Sequence, residues 1–398
     1  MRTIVAYTDE IDDLDMAVEE LLDQTRDFTL AKNSMAIVFM EEEADYLAFY
    51  ERLSKHWSFP VMGCSAMAML AGRHGYCRSG VTVIIMTADD CEFSVGLTDE
   101  LNKEHYRDAI TGLYRGLTSQ MTSEPKLCLC YYGVPLDARD ISSSNLISAI
   151  TDASGGLPIY GGAASDNLTF DGFSVYCNDR LVKTGLALAV IAGNVSPRFV
   201  RVNSVERTAT FSYEITSSKE NVVYKLGENS FLDTMNNENM RVDRENVMQA
   251  YILSPFVVTI DKGDGDYVEA ARVFSRVDME TGAGVFLGAM PEGAKLSVGL
   301  LNREDVCRTV ERAFVQIFRE LERQGGECST LLCTSCSARY LALMNNPSVE
   351  AETYLRHLPD KMSLAGFYAY GECCPVQGEK TGKQYNMFHN FTFTILAL

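Results

Sequence analysis

"MSLAGFYAYGECCPVQGEKTGKQYNMFHNFTFTILAL" occupies residues 362–398, and its last eight residues decide how the fold is read. Phe391, Phe393, Ile395 and Ala397 alternate with Thr392, Thr394, Leu396 and Leu398 up to the final position. That period of two marks a sheet strand. Before it, GFYAYGE and FHN set glycine, tyrosine, carboxylate, histidine and amide side chains among apolar strand residues. A polar cluster in such company has either a ligand or a structural task.

Working outward from this strand, helical and strand patterns alternate along the chain. DLDMAVEELL places Leu14, Ala17, Val18, Leu21 and Leu22 on one helical face, and VERAFVQIFREL does the same with Val310, Phe314, Ile317, Phe318 and Leu321. Asn302, with Asp305 three residues on, predicts a cap for the second helix. Between such helices lie continuous apolar runs, as expected of strands buried on both faces. A weak repeat runs through them. AIVFM, a helix, PVMGCSA and SGVTVIIM come in succession from Ala36 to Met86, and LCLCYYG, a helix, PIYGGAA and TGLALAVI from Leu127 to Ile191. A looser third copy reads TLLCTSCSAR, a helix, LAGFYAYGE and HNFTFTILAL. The expected fold is therefore α/β, with layered mixed sheets and helices built from repeated β-α-β-β units. The GCSA, GGAASD and YGE turns then stand at the ends of equivalent strands, where open α/β sheets bind ligands.

The chain has 398 residues, too many for one ordinary core. The polar stretch TSSKENVVYKLGENS suggests two modules, 1–220 and 221–398. A formal charge of −19 argues against nucleic acid or an anionic membrane as partner, since both require basic surface. No export signal opens the sequence, and runs such as VTVIIM fall short of a bilayer span, so a soluble cytoplasmic protein is expected. The 12 cysteines are spread out, several within apolar runs, and are expected to be reduced core residues.

Most motif searches end negatively. GEKTGKQ is one residue short of a phosphate-cradling loop, and Gln384 stands where a hydroxyl would hold magnesium. In DKGDGD, Gly263 and Gly265 replace calcium ligands, which leaves a turn between strands. GCSAM lacks the second glycine of a nucleophile elbow. CTSC, Cys333 to Cys336, lies in a strand-like setting where side chains three apart face opposite ways, so no zinc is expected. No metal and no cofactor is implied.

The segments GCSAMAMLAG, PIYGGAASDN, ARVFSRVDMETGAGVFLGAMPEGAKLSVGLL and CSAR, and above all GFYAYGE followed by FHNFTFTILAL, resemble the paired N- and C-terminal modules of FIST domain proteins. The resemblance covers nearly the whole chain. It implies an intracellular sensory module for a small ligand such as an amino acid. Family members are often joined to kinase, chemotaxis or cyclase outputs, whereas this chain ends on the module's last strand. Its expected output partner is therefore a separate protein.

The residues suggest how a zwitterion would be held. Arg339 offers a planar fork to a carboxylate, with Arg272 as a second cation, and Glu372 offers a charge to an ammonium group. His389 and Asn390 can donate and accept, and Tyr370 and Gly371 lie in the YGE turn. Cys336 comes from CSAR, and Ser65 and Asp166 from the other two turns. Each has a structural alternative, such as an Arg339–Glu372 pair that locks strands. Three functions stand side by side: a sensor without turnover, a thiol enzyme using Cys64 or Cys336 with His389 as base, and an interaction scaffold.

Overall fold

A computed structural model describes residues 1–134, 141–242, 247–263, 265–325, 328–343 and 346–398. The first repeat runs β1 (Arg2–Thr8), α1 (Leu14–Thr25), β2 (Asn33–Met40), α2 (Tyr46–Leu53), β3 (Val61–Ser65), β4 (Met69–Ala71), β5 (Gly75–Cys77) and β6 (Val81–Ala88). The second runs β7 (Cys91–Leu97), α3 (Tyr106–Thr118), β8 (Pro125–Gly133), α4 (Ser143–Ser154), β9 (Ile159–Ala163), β10 (Val175–Cys177), β11 (Arg180–Val182) and β12 (Gly185–Gly193).

The third repeat opens with β13 (Arg198–Asn203) and is then interrupted. The insertion contains β14 (Glu206–Lys219), β15 (Val222–Leu226), β16 (Asn229–Ser230), α5 (Phe231–Asn237), α6 (Val247–Ala250), β17 (Phe256–Gly263), β18 (Asp266–Arg272), β19 (Phe274–Asp278), β20 (Ala283–Phe286) and β21 (Lys295–Leu300). These strands form their own sheet around an aromatic core of Phe211, Phe231, Phe256, Phe274 and Phe286. The stretch TSSKENVVYKLGENS is the β14–β15 hairpin and its exit within this sheet. The repeat resumes with α7 (Arg303–Gln324), β22 (Thr330–Cys336), α8 (Ser337–Leu343), α9 (Ser348–His357), β23 (Ser363–Ala369), β24 (Glu372–Gln377), β25 (Gln384–His389) and β26 (Thr392–Ala397).

The three repeats build three sheets of one topology: β1-β6-β2-β3-β10-β11, β7-β12-β8-β9-β24-β25 and β13-β26-β22-β23-β4-β5. In each, one neighbouring pair is parallel, β2–β3, β8–β9 or β22–β23, its strands joined by α2, by α4 or by α8 and α9, and the other neighbouring pairs are antiparallel. The short hairpin after the third main strand never stays at home. The first repeat gives β4–β5 to the third sheet, the second gives β10–β11 to the first, and the third gives β24–β25 to the second. The exchange is cyclic.

The parallel pairs sit unusually close at one glycine each. A Cβ on Gly63 would meet the Val38 carbonyl oxygen at 1.8 Å, one on Gly161 the Cys130 oxygen at 1.8 Å, and one on Gly366 the Cys333 oxygen at 2.3 Å. No side chain fits at those distances. Inner faces share a central core: Ile37 and Phe39 from the first sheet, Leu129 and Leu188 from the second, Phe367 and Leu396 from the third. Outer faces carry helices, α1 and α2 over the first sheet and α7 and α9 over the third.

The helices start where local chemistry favours them. The Asp13 carboxylate accepts from the backbone N–H groups of Asp15 and Met16 at the head of α1, and Ser142 and Asn145 form a reciprocal capping box on α4. Asn302 stands at the cap position of α7, but its side chain donates to Asp305 at 3.0 Å rather than accepting from the backbone. The terminal strand β26 is central in its sheet. Phe393 and Ile395 pack toward α7, while Leu396 enters the central core. Among the described residues, no helix is long and apolar enough to cross a membrane.

Candidate functional site

The three turns singled out in the sequence come together. Ser65, ending β3, donates to the Ser165 carbonyl at 2.9 Å and accepts from Ser174 N–H at 2.9 Å. The Ser165 hydroxyl donates to the Tyr368 carbonyl and accepts from Met67 N–H. Asp166 is fully buried, and its carboxylate accepts backbone N–H bonds from Thr169, Phe170, Asp171 and Gly172 at 2.8–3.0 Å, plus the Tyr370 hydroxyl. Burial alone would raise its pKa, but these donors outweigh it and hold it below the usual carboxylate value. Ser65 and Asp166 thus spend their polar atoms on joining the turns.

Glu372, Cys336, His389, Asn390 and Arg272 form a second cluster beside the first. Glu372 begins β24 and stands opposite His389 of β25. One carboxylate oxygen accepts from Thr392 N–H at 3.2 Å and its hydroxyl at 2.7 Å, the other has no hydrogen-bond partner among the described residues, and the Cys336 thiol lies beside the carboxyl. Burial pushes the Glu372 pKa up to about 8. At neutral pH the group is therefore mostly an uncharged acid, a weaker ammonium holder than its sequence suggests. His389 Nε2 donates to the Cys374 carbonyl at 2.9 Å, so the neutral ring leaves a bare Nδ1, which is unpartnered. Burial first, then Arg201, holds its pKa well below the normal value.

Asn390 accepts from Val273 N–H at 3.3 Å and leaves its amide nitrogen unsatisfied. Arg272 is buried without an acidic partner among the described residues. It donates to the carbonyls of Ala271, Phe388 and Ala289 and stacks over the Phe388 ring. Burial lowers its pKa to about 10. Gly371 packs so tightly on that ring that a Cβ would lie 2.1 Å from it.

Arg339 stands apart from this cluster. It is fully buried on α8 and paired with Glu350 of α9 at 3.2 Å, with further bonds to Ser335, Ser204 and the Val306 carbonyl. Glu350 in turn accepts from Ser335 at 2.7 Å and the Tyr368 hydroxyl at 3.2 Å. The ion pair weighed between Arg339 and Glu372 is replaced by this one. Both candidate nucleophiles lie inside the core. Burial drives the Cys64 thiol pKa well up, and burial with the neighbouring Glu372 carboxyl does the same to Cys336.

The opening nearest these clusters lies where β8 and β9 end. A cavity of about 30 Å³ is lined by Val134, Ser142 and Ser143 at the start of α4, Ala163, Asn221, Phe286 to Gly288, Tyr370 and Phe388. Of the sequence-derived candidates, Tyr370 alone is among the lining residues. Asn221 is 3 % exposed and donates to the Phe286 carbonyl at 2.8 Å, yet its side-chain oxygen has no partner among the described residues. The start of α4, where Ser142 and Asn145 cap one another, borders the same cavity and brings the positive end of the helix to it. Ala289 N–H donates to Ser144 at 2.9 Å, fastening the insertion to the same helix end. The serine run ISSSN signals that cap in the sequence; Asn221 carries no local signal.

Three exchanged α/β repeats with an inserted sheet define a two-module mixed α/β architecture. Family models match accordingly: the FIST N domain over residues 34–229 and the FIST C domain over 232–375. The chain belongs to the FIST family, whose domains are recognised as sensory and signal-transduction domains. No curated protein matches. Among solved structures, a chorismatase is 9 % identical over 100 % of this chain and 98 % of its own, with a TM-score of 0.38. PurLQS from Thermotoga maritima is 8 % identical over 99 % and 72 %, with a TM-score of 0.20.

Proposed function

We propose that this FIST protein is a sensor that binds a small ligand, of the amino-acid class, without turning it over. The observation that carries the reading is the cavity at the α4 N-terminus, faced by the buried, unpartnered oxygen of Asn221. Helix N–H groups suit a carboxylate, and an unsatisfied amide oxygen suits an ammonium or hydroxyl donor. A volume of about 30 Å³ admits a polar head group and little more. The rest of an amino acid must displace the Leu287–Gly288 wall, next to the Ala289–Ser144 bond. Ligand entry is thereby linked to how the insertion sits on α4, which is a means of signalling occupancy. In this reading the protein works in the cytoplasm. Its output is a separate kinase, chemotaxis receptor or cyclase, with neither nucleic acid nor membrane as partner.

The alternative thiol enzyme is disfavoured by the deep burial of Cys64 and Cys336 and by His389 bonding a carbonyl instead of a thiol. Calorimetric titration with the common amino acids and their simple carboxylate counterparts tests the proposal. One amino acid should saturate a single site, and Asn221→Ser should weaken it by roughly tenfold, as loss of a buried charge-assisted hydrogen bond does. Absence of saturation, or an unchanged affinity in a folded Asn221→Ser protein, would refute it.

A further inference from the structure

The wall of the cavity at α4 rests on Arg272. Gly288 and Phe388 both line the cavity. A Cβ on Gly288 would lie 2.9 Å from Arg272 Nε and 2.7 Å from the Phe388 ring, so the guanidinium reaches the wall where it carries no side chain. Arg272 also donates from Nε to the Ala289 carbonyl and from Nη1 to the Phe388 carbonyl, each at 3.3 Å, and its guanidinium carbon stands 5.9 Å from the centre of the Phe388 ring. Whatever displaces Leu287 and Gly288 therefore meets this side chain.

Arg272 is 1 % exposed and has no carboxylate partner among the described residues, in a chain with 54 acidic residues against 35 basic ones. Acids are in surplus, yet none is placed here. Arg339, equally buried, is matched by Glu350 at 3.2 Å. The hydrogen bonds of Arg272 run from Nε and Nη1 to carbonyls alone, and Nη2 makes none among the described residues. Carbonyl dipoles offset part of the cost of burying a cation, and a counter-charge offsets more. A carboxylate suits the open side of such a fork. A neutral group would leave the charge unmatched, and a basic one would be repelled.

We propose that the ligand is an amino acid with a second acidic group on its side chain, of the glutamate or aspartate class, and that Arg272 receives that group when Leu287 and Gly288 give way. The inference rests on the sensor reading above and adds the ligand's class to it. In this arrangement the α-carboxylate takes the start of α4 and the ammonium group faces Asn221, which leaves the side-chain carboxylate for Arg272. Calorimetric titration of the full chain with L-glutamate against L-glutamine, and with L-aspartate against L-asparagine, is the test. Each amide matches its acid in shape and lacks the charge. One of the acids should bind at least roughly tenfold tighter than its amide, as a hydrogen bond between charged groups provides. The net charge of −19 works against an acidic ligand, so this preference cannot arise from the general field of the chain. In folded Arg272→Gln the preference should disappear, while Asn221→Ser should weaken acid and amide alike. The wild-type comparison decides the matter even where Arg272→Gln fails to fold. Saturation by a neutral or basic amino acid, with neither acid preferred to its amide, overturns the inference and leaves the sensor reading standing; Arg272 is then a strut between the Ala289 and Phe388 carbonyls. An acid preference that survives in folded Arg272→Gln also overturns it. Saturation by no amino acid overturns both.

Discussion

Glu372 and His389 stand directly opposite one another on adjacent strands, both buried, and each leaves one polar atom without a hydrogen-bond partner among the described residues. Directly opposed residues of an antiparallel pair share a sheet face with Cβ atoms roughly 5 Å apart. The pair is held neutral from both sides, by burial that raises the acid and lowers the base.

A distinct pH profile of stability is expected. The Glu372 pKa is raised from 4.5 to about 8 in the fold, so its contribution is complete below pH 4.5 and is lost as pH rises through 8. The His389 pKa is depressed, so its contribution is present above 6.5 and is lost as pH falls. Glu372→Gln should flatten the alkaline side, by an amount of the order of a few kcal/mol at most. Melting temperatures from pH 5 to 9 check this, and parallel curves for wild type and variant would refute it.

Breaking the buried pair on α8 and α9 should be severe. Arg339→Met leaves Glu350 charged and buried, at a cost of about 3–5 kcal/mol. Chemical denaturation should show that loss. Amino-acid affinity in the protein that remains folded should be unaltered, because Arg339 lies outside the cavity.

Thiol chemistry should be slow throughout. With iodoacetamide at neutral pH, the half-buried Cys307 and Cys328 should be labelled first, and Cys64 and Cys336 only on unfolding. Rapid stoichiometric labelling of Cys64 or Cys336, read by peptide mass mapping, would favour the enzyme reading.

Proteolysis in the exposed β14–β15 turn should not separate the halves. Strands β24 and β25 pair within the second repeat's sheet, and β4 and β5 within the third's. A chain nicked at Lys219 should therefore elute at the size of the intact protein in gel filtration. Two separately eluting folded fragments would contradict the exchange.

Much of this architecture is legible in the sequence, because continuous apolar strands and their punctuating glycines recur in a fixed order. The alternation from Phe391 to Leu398 identifies β26, and its central place agrees with burial of both faces. Strand exchange is not legible: β4, β10 and β24 are local hairpin strands whose neighbours are chosen by tertiary packing. The same limit applies to side chains. Glu350 lies in an ordinary helical run, SVEAETYL, and nothing local reveals that it is fully buried beneath Arg339. The YGE and HN motifs do mark a buried polar cluster, but Asn221, which bonds Phe286 through its amide nitrogen and leaves its side-chain oxygen over, is brought to the cavity by the insertion alone.

The cyclic exchange also constrains how the chain is made. Met69 of β4 pairs with Phe367 of β23, so an early hairpin has no neighbour until almost the whole polypeptide has been synthesised. At roughly 5–20 residues per second, that wait on the ribosome is of the order of half a minute. For part of it, the third main strand of the first repeat also lacks its neighbour β10. Unpaired edges of this kind invite association with other chains. The newborn protein is thus most vulnerable in its first half, and guarding it there is a task for chaperones or for rapid translation of the remaining chain.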